Sequence, residues 1–475
     1  MAHGINIREQ ATSVTAINAA DSALPLIFGT APVNMLENPT LNEPVLCLSY
    51  SEAVKAFGSI KDNNDYSLLQ AIEILYSLYG ISKAVFVNVL DKAKHKKTQS
   101  EQTYSFVKDK VELPHVGILK ETVIVKADAE PATVDVDYSL AFDDYGKLIV
   151  SRIPEGSLLE EDELTIQYDY IDASMVTADD IIGGIDAETG KKKGLEVIAD
   201  VFPAYAVIPT LILAPGFSHL PGVAKVMATK TKNINGVFNA VAIADIQDDT
   251  LKVYNKVPEY KNNNSIIDAN LIVCFPKVTN AGSEQWLSTH LAGVIAATDS
   301  DNGGTPQVSP SNQSVQIDGL INNGQVMKLG LDEANYLNEN GIVTALNFIG
   351  GFKIWGNRTS VYPSNTDVKD MFIPVRRVFG WVSNTIITNF WQKVDIPATK
   401  RNIDNIIFTI QTWVDGLAAA EVLLGGSVTF PDDLNPLTDM LNGKFKFKLT
   451  LASPIPMEDI EFILEFDTSL LNNLF

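Results

Sequence analysis

The sequence predicts a multidomain chain of α/β and α+β type: a central α/β domain with an all-β insertion, followed by a C-terminal α+β domain. Three observations predict this. Strand-length apolar runs alternate with helical stripes over residues 21–90 and again from about residue 177. The stretch between them carries only two-residue alternation, and from about Asp332 a helix, a strand pair and two long helices follow in a different order. With 475 residues, 46% of them hydrophobic and 20% charged, the chain has the length for two to four domains and the composition of a folded protein.

The elements follow in order. In GINIREQATSV, Ile5 and Ile7 alternate with polar neighbours without a turn signal, which reads as an extended arm over residues 1–20. The run ALPLIFGTAP is a strand, SLLQAIEILYSLYG has helical apolar spacing, and AVFVNVL is a second strand. From 91 to 176, ETVIVKA, ATVDVDYSLAF, GKLIVSRI and ELTIQYDYI alternate in β fashion between turns, a compact all-β insertion facing solvent. The α/β pattern resumes with GLEVIADVFPAY, TLILAPG, GVAKVMATKTKN, FNAVAIADI, LIVCFP and the helix EQWLSTHLAGVIAATDS, completing a central domain of 21–90 plus 177–331 with a largely parallel sheet. A third unit, 332–457, holds a helix, a break at Gly341, two strands, and two helices between Ile373 and Leu424 that part near DIPATKRN. Two strand-like segments finish the chain, GKFKFKLTLASP and EDIEFILEFDTSLL. In the second, over 458–475, Ile460, Phe462, Leu464 and Phe466 alternate with charges and want a sheet to join.

Composition narrows the function. A net charge of −22 opposes nonspecific contact with nucleic acid and anionic membranes. There is no apolar run of membrane-spanning length and no signal-peptide pattern, so a cytosol-like compartment is expected. Cys47 and Cys274 each fall within an apolar strand. The histidines His3, His95, His115, His219 and His290 lack ligand spacing, so neither a disulfide nor a metal site is expected, and no cofactor. Between Gly351 and Gln411 the balance reverses, with eight Lys/Arg against four Asp/Glu, including Arg376, Arg377, Lys393, Lys400 and Arg401. That segment is either a face for an acidic partner or a solvated charge face.

Few motifs carry chemistry. LILAPGFSHL resembles a nucleophile elbow at Ser218, with Asp245 and His290 following in the order serine, acid, histidine; Leu220 stands where the motif's last glycine belongs. A serine hydrolase therefore stays an alternative to a plain strand-to-loop turn. GGIDAETGKKKG misses the phosphate-loop spacing by one residue and carries Lys192 in place of the hydroxyl residue, and reads as a polar loop before a helix starting near Leu195. In GGFKIWGNRTS, Trp355 and Arg358 could form a binding cluster but are read as bracing, since no nucleophile or base lies near them in sequence.

Taken together, IIGGIDAETGKKKGLEVIADVF, LILAPGFSH, LAGVIAATDSDNGGTPQVSPSN, GIVTALNFIGGFKIWGNRT and MFIPVRRVFGWVSNTI, with the N-terminal ALPLIFGTAP, resemble the sheath proteins of contractile phage tails and related injection particles. The order and spacing cover about Thr177 to Ile387, with Asn357 where the family often has alanine. The resemblance implies a structural protein and no enzyme, stacked as hexameric rings around an inner tail tube, with baseplate and terminator proteins as further partners. It implies a place in the virion or a phage-like particle, after assembly in the host cytoplasm. It implies that the two terminal arms complete sheets in neighbouring subunits, that 91–176 faces outward, that Trp355 and Arg358 brace the inner domain, and that the basic segment faces the tube. A static shell protein with exchanged arms is the remaining alternative.

Overall fold

The computed structural model describes residues 17–61, 65–128, 130–160 and 163–470. The arm positions Ile5 and Ile7 lie outside the described residues. At the centre is a six-stranded sheet of β1 (Pro25–Gly29), β2 (Val45–Cys47), β3 (Ala84–Asn88), β4 (Leu211–Leu213), β5 (Val241–Asp245) and β6 (Leu271–Cys274), in the order β6-β5-β4-β1-β3-β2. β2 runs antiparallel to β3, and every other pairing is parallel. The runs PLIFG, AVFVN, VAIAD and LIVC show no polar alternation because both faces of the sheet are covered, and each of their residues is buried. Cys47 and Cys274 are free and buried on opposite edge strands, too far apart in the sheet to pair. Helix α1 (Leu287–Asp301) packs on the turn that ends at Tyr79. There Gly293 is required, since a Cβ would stand 2.3 Å from the tyrosine ring.

The segment between β3 and residue 177 is all β. Lys96–Ser105 and Glu163–Ile171 pair antiparallel along their length, so the entering and leaving chains are neighbours. Its four-stranded and three-stranded sheets enclose a core of their own, built on Leu113, Ile118, Leu148, Ile166 and Tyr168.

Beyond residue 331, Val343 bridges to Cys274 at the edge of the central sheet and leads into the antiparallel pair Thr344–Asn347 and Phe352–Trp355. Helices α2 (Ile373–Phe390) and α3 (Lys400–Ala419) form a hairpin whose shared core holds Val378, Trp381, Ile410 and Val414. A two-stranded sheet, Gly425–Thr429 with Lys448–Ala452, packs beside α3.

Three local expectations change. A helix at Val257–Asn263 and a small four-stranded sheet built on Lys277–Asn280 and Gly319–Asn322 were not foreseen, since strands of three or four residues are too short to show a period. The helix expected from EQW begins only at Leu287, because Ser283–Gln285 belongs to that sheet. EDIEFILEFDTSLL makes no ladder with any described residue.

Candidate functional site

The serine-hydrolase constellation does not form. Ser218 Oγ accepts the Asp245 N–H at 3.1 Å and donates to Asp245 Oδ2 at 3.2 Å. The same carboxylate accepts the Ser288 N–H at 2.9 Å and the Ser288 hydroxyl at 2.5 Å. His290 lies elsewhere, Nδ1 2.9 Å from the Tyr79 hydroxyl and Nε2 2.8 Å from Gln285 Oε1. The acid thus grips the serine directly and both His290 nitrogens are occupied elsewhere, so the imidazole does not face Ser218, which is itself buried. Burial pushes the Asp245 carboxyl up to about 6 and His290 down to about 3.

GGIDAETGKKKG forms a hairpin, Gly184–Ile185 with Lys192–Lys193. Its loop amides at Glu188 and Thr189 point into the Asp186 carboxylate at 3.1 and 2.8 Å, where a phosphate loop would leave them free. The flanking glycines serve a close backbone crossing: a Cβ on Gly183 would stand 1.8 Å from the Lys193 carbonyl oxygen.

A wide groove opens beside the C-terminal ends of β1 and β4, the switch point at which open α/β sheets take ligands. Its walls pair among themselves. Thr30 and Ser67 exchange backbone-to-hydroxyl bonds at 3.2 Å, Gln70 donates to the Glu284 carbonyl at 2.9 Å, and Lys277 lies 4.3 Å over the Trp286 ring. Among the described residues no His, Cys, Asp and Glu cluster is suited to a metal ion, and no helix is long and apolar enough to cross a membrane.

Trp355 and Arg358 lie where the C-terminal segment leaves the body. The Trp355 indole N–H donates to Asn335 Oδ1 at 2.8 Å. The Ser309–Asn312 loop docks alongside, with Asn312 N–H on the Ile354 carbonyl at 2.6 Å and Gly356 N–H on Ser311 Oγ at 3.0 Å. Arg358 is held between the rings of Tyr362 and Phe372, 4.1 and 4.7 Å from their centroids. Its guanidinium forks onto Glu458, Nε to Oε1 at 3.0 Å and Nη2 to Oε2. Glu458 was not singled out in the sequence, and an acidic residue 100 positions from its arginine offers no local signal.

The basic segment divides. Arg377 is 5% exposed, paired through Nη1 and Nη2 with Asp299 at 3.0 and 2.5 Å, so it does not face a tube. Arg376 is half-buried and donates to Asn270 Oδ1 at 2.6 Å. The expectation for Arg377 is corrected because that turn of α2 is packed into the body. Lys393, Lys400 and Arg401 gather at the exposed tip of the α2–α3 hairpin beside exposed Trp391 and Val394, without an ion-pair partner among the described residues.

The chain entering from the N-terminus lies along α2. Arg377 Nη2 donates to the Ser22 carbonyl (3.2 Å), Trp381 Nε1 to the Ala20 carbonyl (2.8 Å), and Thr385 Oγ1 accepts the Ala20 N–H (3.0 Å). Asn389 both accepts the Asn18 N–H (2.9 Å) and donates to its carbonyl (2.7 Å). Four helical residues rise about 6 Å and two extended residues about 6.7 Å, so a stripe at spacing four can follow alternate residues of an extended strand.

At the other end of the chain Ile460, Phe462 and Phe466 are largely exposed and Leu464 is 95% exposed. A row of apolar side chains in water without a ladder is an unmet binding requirement.

No family model matches the chain. The chain is 27% identical to the tail sheath protein of Burkholderia phage BcepMu over an alignment of 492 residues, covering 99% of this chain and 98% of the relative. It is 30% identical to the major tail sheath protein of Serratia phage KSP20 over 135 residues, 28% of this chain and 33% of the other. Among solved structures, the contracted sheath of the PVC extracellular contractile injection system aligns with a TM-score of 0.61 at 14% identity, over 99% of this chain and 98% of that one. The contracted helical sheath of the anti-feeding prophage gives 0.59 at 15%, over 98% and 99%. The similarity to a tail sheath protein thus runs end to end, and the fold is shared over its whole length with contractile sheath subunits.

Proposed function

We propose that the chain polymerises into the contractile sheath around the inner tube of a phage tail or phage-like particle, and that the sheath shortens from a metastable extended state to drive the tube through a target envelope. Residues 1–20 and 458–475 are the linking arms, 21–90 with 177–331 the central domain, 91–176 an outward-facing domain, and 332–457 the inner domain. The hairpin tip with Lys393, Lys400 and Arg401 faces the tube, where weak charge contact sets register and releases on contraction. Trp355 and Arg358 brace the origin of the C-terminal arm. Baseplate and terminator proteins complete the particle, and a neighbour of the same fold occurs in a baseplate symmetrised six-fold, in keeping with hexameric rings.

The observation that carries this reading is the exposed apolar segment after Met457, which makes no ladder with any described residue, in a chain whose C-terminal sheet has two strands among the described residues. A strand added from a neighbour gains main-chain hydrogen bonds, about 1 kcal/mol each, so about five bonds contribute roughly 5 kcal/mol before packing. Such tethers persist while subunit bodies slide, and contacts that form only in the compact lattice drive the change without nucleotide. Negative-stain electron microscopy of the full chain, beside one ending at Met457, tests it. Rings or tubes are expected from the full chain and folded, cooperatively melting monomers from the shorter one; equal tubes from both would remove the arm from the account.

A further inference from the structure

On α3, the Gln411 side chain reaches the outer edge of strand Gly425–Thr429. Its Oε1 accepts the Val428 N–H at 2.9 Å and its Nε2 donates to the Gly426 carbonyl at 3.2 Å. These are the two groups, flanking Ser427, that one residue of a parallel partner strand would engage, because in a parallel ladder a residue donates to the carbonyl before its opposite number and accepts from the N–H after it. The other edge of the strand is taken by Lys448–Ala452. A carboxamide has the donor and acceptor arrangement of a peptide group, and this one occupies the strand edge as a single residue of backbone would.

We propose that Gln411 is a displaceable guard on this edge, and that the occupant it yields to is the segment Glu458–Phe466 of a second copy of the chain. The inference rests on the arm reading above and names how that contact is controlled. Three features carry it. Beyond Glu458, which Arg358 holds, the segment makes no ladder with any described residue and is apolar and exposed at Ile460, Phe462, Leu464 and Phe466, the alternation a sheet edge accepts. The amide has a second partner one helical turn on, Asp415 Oδ1 at 2.7 Å from Nε2, which keeps hold of it once the strand arrives. Unguarded edges invite pairing with any exposed strand, so a guard that a full strand outcompetes, and a stray one does not, delays association until the correct partner docks.

The test uses the full-length chain, below the concentration at which it assembles, and a fluorophore-labelled synthetic peptide of residues 458–470. Gln411→Leu is expected to bind the peptide about ten-fold more tightly than the unsubstituted chain, and in the free protein its Val428 amide is expected to exchange at least ten-fold faster. Gln411→Glu keeps an acceptor for that N–H and loses the donor to Gly426; its affinity is expected between the two. A melting curve and the exchange of Ile243 in the central sheet check that each variant is folded. Equal or weaker peptide binding by folded Gln411→Leu overturns the guard and leaves the arm reading standing. Peptide binding by neither protein overturns the arm reading and the guard with it.

Discussion

Asp245 illustrates how a residue's order in the chain differs from its place in the fold. Its carboxyl has three serine-derived donors and its own backbone N–H bonded back to Ser218, with no ion pair among the described residues. Burial holds its pKa near 6, above the ordinary 3.8, so the folded state keeps a proton that the unfolded chain releases. The stability from this group is therefore complete below pH 3.8 and is lost as pH rises through about 6, by up to roughly 3 kcal/mol. Asp245→Asn is expected to flatten that part of the pH–stability curve, and urea titrations of both proteins between pH 3.5 and 7 check it; parallel curves would show the carboxyl ionised throughout. The sequence displayed serine, acid and histidine in order but not which side of α1 each would occupy. Ser288 and His290 are about 200° apart around a helix, so once Ser288 faces Asp245 the imidazole must point away. No spacing argument could settle that beforehand, because every residue of α1 from Leu287 to Ile295 is buried, leaving no exposed polar face there to orient it.

Among the elements, α2 does the most. Its stripe of Arg377, Trp381, Thr385 and Asn389 receives the backbone of residues 18–22, while Phe372, just before its first turn, stacks on the arginine that holds Glu458. The two terminal segments therefore depart near opposite ends of one 18-residue helix, about 27 Å long. Replacing Thr385 with Val and Asn389 with Leu removes three of the five bonds to the entering chain. Amide exchange at Asn18 and Ala20 is expected to accelerate at least ten-fold while the central strands stay protected, read by hydrogen-exchange mass spectrometry with fragmentation; unchanged rates would show that the Arg377 and Trp381 bonds with the packing of Ala20 suffice to hold the chain. The helix was legible from its apolar period, and the break before α3 from DIPATKRN. The role of Arg377 was not read, since a charge count ignores burial. The usable signal was its position: Ile373 and Trp381 lie one turn to either side, so Arg377 falls on the apolar stripe, where an arginine needs a buried acid.

At the scale of the whole molecule, an acidic chain carries a basic tip at Lys393, Lys400 and Arg401 that has no ion-pair partner among the described residues. Reversing all three to Glu is expected to move the melting temperature by less than about 2 °C, since exposed and unpaired charges contribute little to folding. Co-sedimentation with inner tubes purified from the same particle is expected to fall at least ten-fold; undiminished pelleting would move the tube contact elsewhere. The insertion and the helical hairpin were readable because their runs repeat a period, and the central sheet because its runs are unbroken apolar stretches alternating with helical stripes; the small sheet and the contacts between distant loops were not, because they depend on which short segments meet. The two buried thiols have a practical consequence. Burial pushes Cys47 up to about 12 and raises Cys274 well above its ordinary value, so neither is a ready thiolate at neutral pH. A cysteine introduced at Glu461, on the exposed terminal segment, would then be the one thiol that maleimide dyes attack, and the chain needs no prior removal of native cysteines before labelling. Energy transfer from that dye to a neighbouring subunit would follow arm docking in real time, in the native sequence background.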